Sequence, residues 1–408
     1  MKIAYLHQYF KLPTESGGTR SYDLAKGFVM MGHQVEMLTT TSDPKKLGPD
    51  NWTVEIHDGI RVHYTYLPYD SRLSYLRRIG VFFSFMWAAS ARLLKLKVDM
   101  VLASSTPLTI GIPALVKKLF HRTPYIFEVR DVWPEAVFAI GAINNPLLRW
   151  LMLQLEKNTY RHSLAIVPLS TDMKRSILNR YPFLAEHPME VVENISEVAR
   201  FQEGVSTVTE NRIVDLVGWK PRFTVLYAGT FGKVNGIGYA IELAEMLLPI
   251  DPSVVFVLVG DGVELASCQR DAELREVLGK NIFFSTSISK GQLPLLYKQV
   301  DMGSSFVVPI KELWYNSANK FFDTLAAGKP ILINYGGWQE EVIQRRNVGF
   351  ALPPVLSEKS ARDFAEYTQR EQLQKEQQHN ALVLASEEYS LPSALLRYKK
   401  LFDKLADV

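Results

Sequence analysis

Residues 222–247 read RFTVLYAGTFGKVNGIGYAIELAEML. A β-branched and aromatic run leads through glycines into a pattern of helical period. That sequence of events, strand then glycine turn then helix, is the unit of a parallel sheet with crossover helices. The same rhythm continues downstream in SVVFVLVGDG, NIFFSTS, DMGSSFVVP, KPILINY and VGFALP. It is already present upstream in KIAYL, QVEMLT, RVHYTYL, DMVLASS, PYIFEV, LAIVPLS and MEVVEN. Two doubly wound α/β domains follow, each with a mostly parallel sheet.

Between them, Ile195 to Pro221 is polar and lacks sustained periodicity, so it reads as the linker. The expected division is 1–200 and 201–385, with 386–408 as a C-terminal helix returning to the first domain. Open α/β sheets bind ligands beyond the carboxyl ends of their strands, so two such domains face to face enclose a binding cleft.

The chain has 408 residues, enough for two cores at roughly 150 residues per domain. Its balance of 47% hydrophobic and 22% charged residues is that of a folded globular protein and excludes a disordered one. A single cysteine, Cys268, rules out an intramolecular disulfide, fits a reducing compartment and lies in a helical pattern where it is expected to be buried and inert. The opening MKIAYLHQYF has too short an apolar run for a signal-peptide core, which predicts a cytoplasmic protein. No stretch approaches the ~20 apolar residues of a spanning helix, so any membrane contact is expected to be peripheral. Charge is unevenly spread: residues 1–200 hold 24 Lys and Arg against 18 Asp and Glu, whereas the remainder holds 22 against 25. The first half is therefore the one expected to meet an anion.

Three glycine-rich turns suit a diphosphate. Gly17-Gly18 precedes a helix that stops near Gly32, and paired glycines let backbone amides approach an anion; the other reading is a plain flexible loop. Arg20, one turn into that helix, either completes a phosphate site or is solvated. The second and third turns are Gly229 to Gly238 and Gly260-Asp261-Gly262. Gly236-Ile237-Gly238 is not a dinucleotide fingerprint, because Ile241 stands where the third glycine belongs, so a nicotinamide or flavin site is disfavoured.

In YNSANKFFDTLAAGKP, residues 315–330, Lys320 and Asp323 share one side of a helix. Alone they are either a solvated ion pair or part of a site. In PYIFEVRDVWP the carboxylates Glu128 and Asp131, three residues apart, resemble general acid/base equipment; alternatively Asp131 caps the next turn and Arg130 is an ion-pair partner. His7, ending the first strand, reads as a satisfied histidine rather than a ligand, and no His/Cys cluster suggests a metal.

Residues 71–97, SRLSYLRRIGVFFSFMWAASARLLKLK, hold six basic residues and no acidic one. Arg72, Arg77 and Arg78 beside Phe82 and Trp87 suit an anionic membrane surface; the competing reading is a buried crossover helix with basic ends. No base-stacking or groove-reading motif accompanies the charge, which disfavours nucleic acid.

Taken in order, GGTRSYDLAKGFVMMGHQVEMLT, VVENISEVARF, LYAGTFGKVNG, LVGDG and NKFFDTLAAGKPIL resemble the retaining glycosyltransferases of family 4, which have the GT-B fold. RDVWPEAVFAIGAI and SANKFFDTLAAGKP look most like the subgroup that adds N-acetylated deoxyhexoses such as N-acetylfucosamine in bacterial surface polysaccharide synthesis. The resemblance implies a UDP-sugar as co-substrate, no other cofactor, no catalytic metal, and a polyprenyl-diphosphate sugar or glycan as acceptor. It implies Lys320 on the phosphates and Asp323 on the ribose, with Gly17, Gly18, Lys233, Gly260, Asp261, Gly262 and Asn319 completing the donor site. The first acidic position of the family falls on Tyr315 by register, or shifts to Glu312. Asp131 is placed near the transferred sugar or the acceptor hydroxyl. Retaining members resemble a front-side displacement in which the leaving diphosphate helps deprotonate the acceptor, so positioning and charge stabilisation outweigh a protein base. A nucleotide-sugar epimerase and a non-catalytic two-domain sugar-binding protein are the alternatives.

Overall fold

Strands β1 (Lys2–Leu6), β2 (Gln34–Thr41), β3 (Trp52–His57), β4 (Ile60–Tyr66), β5 (Met100–Ser104), β6 (Tyr125–Val129) and β7 (Ala165–Pro168) form one sheet in the order β3-β4-β2-β1-β5-β6-β7. Every pair in it is parallel except β3 with β4. The structure, a computed structural model, describes residues 1–15, 17–46, 48, 51–68, 75–202 and 212–406. A second sheet joins β8 (Phe223–Ala228), β9 (Val254–Val259), β10 (Ile282–Ser285), β11 (Met302–Ser305), β12 (Ile331–Ile333) and β13 (Gly349–Ala351), all parallel, in the order β10-β9-β8-β11-β12-β13. These are the two Rossmann-like domains expected from the strand rhythm.

Central strands such as VVFVLV of β9 are buried at every position. Helices cover both faces of such a sheet, which is why its strands are continuous apolar runs rather than alternating ones. Strand order reverses between β1 and β5 in one sheet and between β8 and β11 in the other. Those two switch points are where crevices open at the carboxyl edge.

The helix Leu391–Ala406 packs on the helix Arg20–Met30 of the first domain. Tyr398 and Phe402 lie 5.2 and 5.6 Å from Phe28, ring centre to ring centre. Beneath them Arg20 is buried and donates to Glu128 at 2.7 Å, while Tyr398 and Ser104 donate to the same carboxylate. Arg20 is therefore neither solvated nor a phosphate ligand. Glu128 is likewise removed from acid/base duty: Arg20, Arg130 and Ser104 outweigh the effect of burial and hold its carboxyl below the ordinary range.

Local expectations failed where elements are short. MEVVEN is not a strand; it runs beside β7 with a single bridge, Met189 to Ile166. WTVEIH forms β3, an antiparallel edge strand that the rhythm did not announce. The linker holds the helices Val198–Gln202 and Arg212–Val217, whose Phe201, Ile213 and Val217 are buried in the second domain. Helices of five or six residues are too short to display a 3.6-residue period. In the Gln-rich helix Glu371–Glu387, Gln377 is buried and donates to Gly349 and Asn347. Cys268 is buried as expected, and burial pushes its thiol up to about 11.

Candidate active site

The helix Asn319–Ala326 opens towards the first domain with Ala318 at its N-cap, so no side chain occupies its first amides. A helix start of this kind carries partial positive charge and suits an anion. Gly18 meets it from across the cleft: a Cβ there would lie 2.6 Å from Asn319 Nδ2. Gly229, at the end of β8, approaches Lys320 so closely that a Cβ would sit 2.4 Å from Cε. A side chain at either glycine would therefore displace the end of Asn319 or of Lys320 from its present place.

Lys320 reaches over the ring of Tyr227, with Nζ 5.0 Å from its centre. Burial lowers its pKa to about 8, and Asp323 opposes the fall. Asp323 itself is buried and takes both of its oxygens to Lys290 Nζ, at 2.6 and 2.8 Å. Burial raises the Asp323 pKa, while the Lys290 ammonium limits the rise. Lys320 and Asp323 are therefore on one side of the helix, as expected, but the aspartate's partner is Lys290.

Three contiguous cavities line the interdomain cleft. The largest, about 580 Å³, contains Gly17, Gly18, Gly260, Asp261, Asn319, Lys320 and Asp323, together with Lys290 and Thr230. A second, about 220 Å³, shares Lys320 and adds Asp131, Arg130, Asn235 and Glu312. A third, about 280 Å³, shares Gly18, Asn319 and Asp131 and adds His7 and Thr106. Lys320 thus stands at the wall between the first two, and Asp131 between the second and third.

At the first-domain wall Asp131 accepts from Thr106 Oγ1 at 2.5 Å. Arg130 is bonded to His7 Nε2 at 2.8 Å, and His7 Nδ1 to Ser21 Oγ at 2.7 Å. Burial, aided by Arg130 and Arg20, pushes the His7 pKa well down, so the imidazole is neutral, accepting from Arg130 and donating to Ser21. His7 is satisfied, as the sequence suggested, yet it lines the cleft and fixes Arg130.

Other expected residues fall elsewhere. Lys233 lines a separate cavity with Tyr239 and Glu264, while its neighbours Val234 and Asn235 face the cleft. Gly262 packs against the backbone of Phe231 and does not line the cleft cavities. Tyr315 packs against Val132, Leu169 and Met173 of the first domain, and its carbonyl accepts from Ser170 at 2.7 Å. It braces the domains instead of lining the cavities, whereas Glu312 lines the second one together with Asp131. Asn194, Ser196 and Asp172 add further bonds between domains, to Ser317, Phe322 and Trp338.

Arg72 lies outside the described residues. Arg77 and Trp87 are exposed, and Arg78 and Phe82 half-buried, on the helix Tyr75–Lys95. Its Phe85, Met86, Ala89 and Leu93 are buried against the sheet, as the crossover-helix reading expects, while Arg77 and Trp87 lie on its outer face. Among the described residues no helix is long and apolar enough to cross a membrane, and no cluster of three or more metal-ligating side chains occurs.

Residues 17–194 match the family model of the glycosyl transferase 4-like domain, and residues 216–382 that of glycosyl transferases group 1. No curated protein matches the sequence. Among solved structures the chain is similar to sucrose-phosphate synthase from Thermosynechococcus elongatus, at 16% identity and TM-score 0.75, over 100% of this chain and 99% of that one. It is also similar to HepE from Anabaena, solved with UDP and glucose, at 15% identity and TM-score 0.71 over 99% and 100% of the two chains. A third similar structure is WaaG, a glycosyltransferase involved in lipopolysaccharide biosynthesis, at 13% identity and TM-score 0.64 over 98% of each. At such identities the likeness is one of fold.

Proposed function

We propose, since this chain belongs to the glycosyltransferases of the GT-B type, that it moves an N-acetylated hexosamine or deoxyhexosamine from a UDP-linked donor to a lipid-linked or glycan acceptor in cell-surface polysaccharide synthesis. The observation that carries the reading is Lys320 at the wall between two cleft cavities, behind an uncapped helix start. A diphosphate seated there has its nucleoside in the larger cavity and its sugar in the smaller, facing Asp131 and Glu312. Motif order supports the deoxyhexosamine class, and HepE holds UDP and glucose in a similar fold.

The chemistry follows from charge. As the anomeric bond breaks, negative charge grows on the leaving diphosphate, and Lys320 with the helix amides is placed to stabilise it. The acceptor hydroxyl enters from the Asp131 side on the same face, which retains configuration. Catalysis then requires no resident metal and no protein nucleophile. The enzyme works at the inner face of the cell membrane, with Arg77 and Arg78 towards anionic headgroups.

Incubation with a panel of UDP-sugars, with and without a lipid-diphosphate acceptor, tests this. Sugar transfer is expected; an isomerised donor without transfer would indicate an epimerase, and binding without turnover a sugar-binding protein.

In this reading Asp323 takes the ribose hydroxyls, and Lys290 keeps it charged to do so. Lys290→Met should therefore weaken UDP binding about tenfold, from loss of one charge-assisted contact in a buried pair. Binding of a dideoxyribose analogue of UDP, measured by calorimetry, should change much less. Equal losses for both ligands would remove Asp323 from the ribose.

A further inference from the structure

The helix Pro146–His162 begins with two turns that nothing covers. Leu147, Leu148, Trp150 and Leu151 are 64%, 39%, 55% and 49% exposed, and their spacing places them on one broad face of about 160°. Burial begins further along, at Glu156, Thr159 and Tyr160. A stripe of this kind normally packs on a core; here four large apolar side chains of it are left exposed.

The place of this turn in the fold gives it a direction. The helices Tyr75–Lys95, Gly111–His121 and Pro146–His162 pack side by side in that order. Each follows a parallel strand, β4, β5 or β6, and so starts at the carboxyl edge of the sheet, where the cleft opens. The first helix shows Arg77, Phe83 and Trp87 outward, the last 71% exposed. Arg149 lies 4.4 Å over the ring of Phe138, whose helix Glu135–Ala139 supplies Ala136 to the cavity beside Asp131. The Leu147–Leu151 turn thus adjoins, through Arg149, the short helix that borders the Asp131 cavity.

Charge identifies the occupant. Residues 75–98 carry five basic residues and no acidic one, and residues 140–155 carry Arg149 and no acidic one. Exposed aromatic and aliphatic groups in segments whose only charges are basic match the interface of a bilayer containing anionic lipid.

We propose that the Leu147–Leu151 turn inserts into an anionic bilayer, with Phe83 and Trp87 as the second point of contact, and so holds the Asp131 side of the cleft at the lipid surface. The inference rests on the glycosyltransferase reading only for its purpose, delivery of a lipid-linked acceptor.

The test is cosedimentation with vesicles of phosphatidylglycerol and phosphatidylcholine. The combined variant Leu147→Ser, Trp150→Ser, Leu151→Ser should partition onto them about tenfold or more weakly than the wild type, since several large apolar side chains no longer enter the interface. Its UDP affinity and its unfolding transition should be unchanged, because the turn supports neither. Arg77→Gln with Arg149→Gln should weaken binding on phosphatidylglycerol vesicles and leave pure phosphatidylcholine unaffected. Wild-type partitioning of the triple variant would overturn the proposal. So would a wild-type dimer, seen by light scattering, that the triple variant abolishes without a change in vesicle binding. Transfer to a short water-soluble acceptor separates the two readings: wild-type protein that binds vesicles but transfers no sugar sinks the glycosyltransferase reading and not the lipid one.

Discussion

Lys320→Met lowers kcat/KM for sugar transfer by about two to three orders of magnitude, the usual loss when one group that stabilises developing charge is removed. UDP affinity falls at the same time, by about 1 kcal/mol or more, because one charge-assisted contact to the diphosphate is gone. The effect is large because Lys320 stands beside Tyr227 and Gly229 at the wall shared by the two cavities, where the growing charge meets it directly. A pH dependence accompanies it. Burial pushes the lysine's pKa down to about 8, so the free enzyme holds the ammonium below that pH and loses it above. The diphosphate prefers the ammonium, so wild-type UDP affinity falls as pH rises through about 8. Lys320→Met shows no such fall over the same range. Calorimetric titration at a series of pH values reads both; a variant with wild-type affinity would return Lys320 to a structural role.

Arg20→Met has its effect on stability instead. It leaves Glu128 buried without the cation bonded to it, and breaking a buried pair in this way costs about 3–5 kcal/mol. Glu128 keeps hydrogen bonds from Ser104 and Tyr398, but neither supplies charge. Denaturant unfolding of the first domain should show the loss, and adding Glu128→Gln should restore part of it by removing the stranded charge. UDP affinity measured on the folded fraction should be unchanged. A drop in UDP affinity with normal stability would put Arg20 on the phosphate after all.

Arg20 also illustrates what could be read from the sequence. An arginine one turn beyond a glycine pair looks like an anion ligand, and its true partner is 108 positions away on another strand. Local spacing carries no information about such a contact. Lys320 and Asp323 were legible because a helix fixes residues three apart on one side, whereas Lys290 sits 33 positions upstream of Asp323, just after β10, and left no local signal. Lys233 was misplaced by a turn: the chain directs Val234 and Asn235 into the cleft and Lys233 out of it. The strands were legible because burial on both faces makes each a continuous apolar run. β3 was not, since an edge strand alternates and its residues Trp52 to His57 are only half-buried or exposed.

A crystal structure of the protein with UDP tests the donor site most directly. The β-phosphate should lie within hydrogen-bonding distance of Lys320 Nζ and of the first amides of the Asn319–Ala326 helix, with the ribose against Asp323. A nucleotide seated in the cavity beside Lys233 and Glu264, with Lys320 still resting on Tyr227, would contradict it.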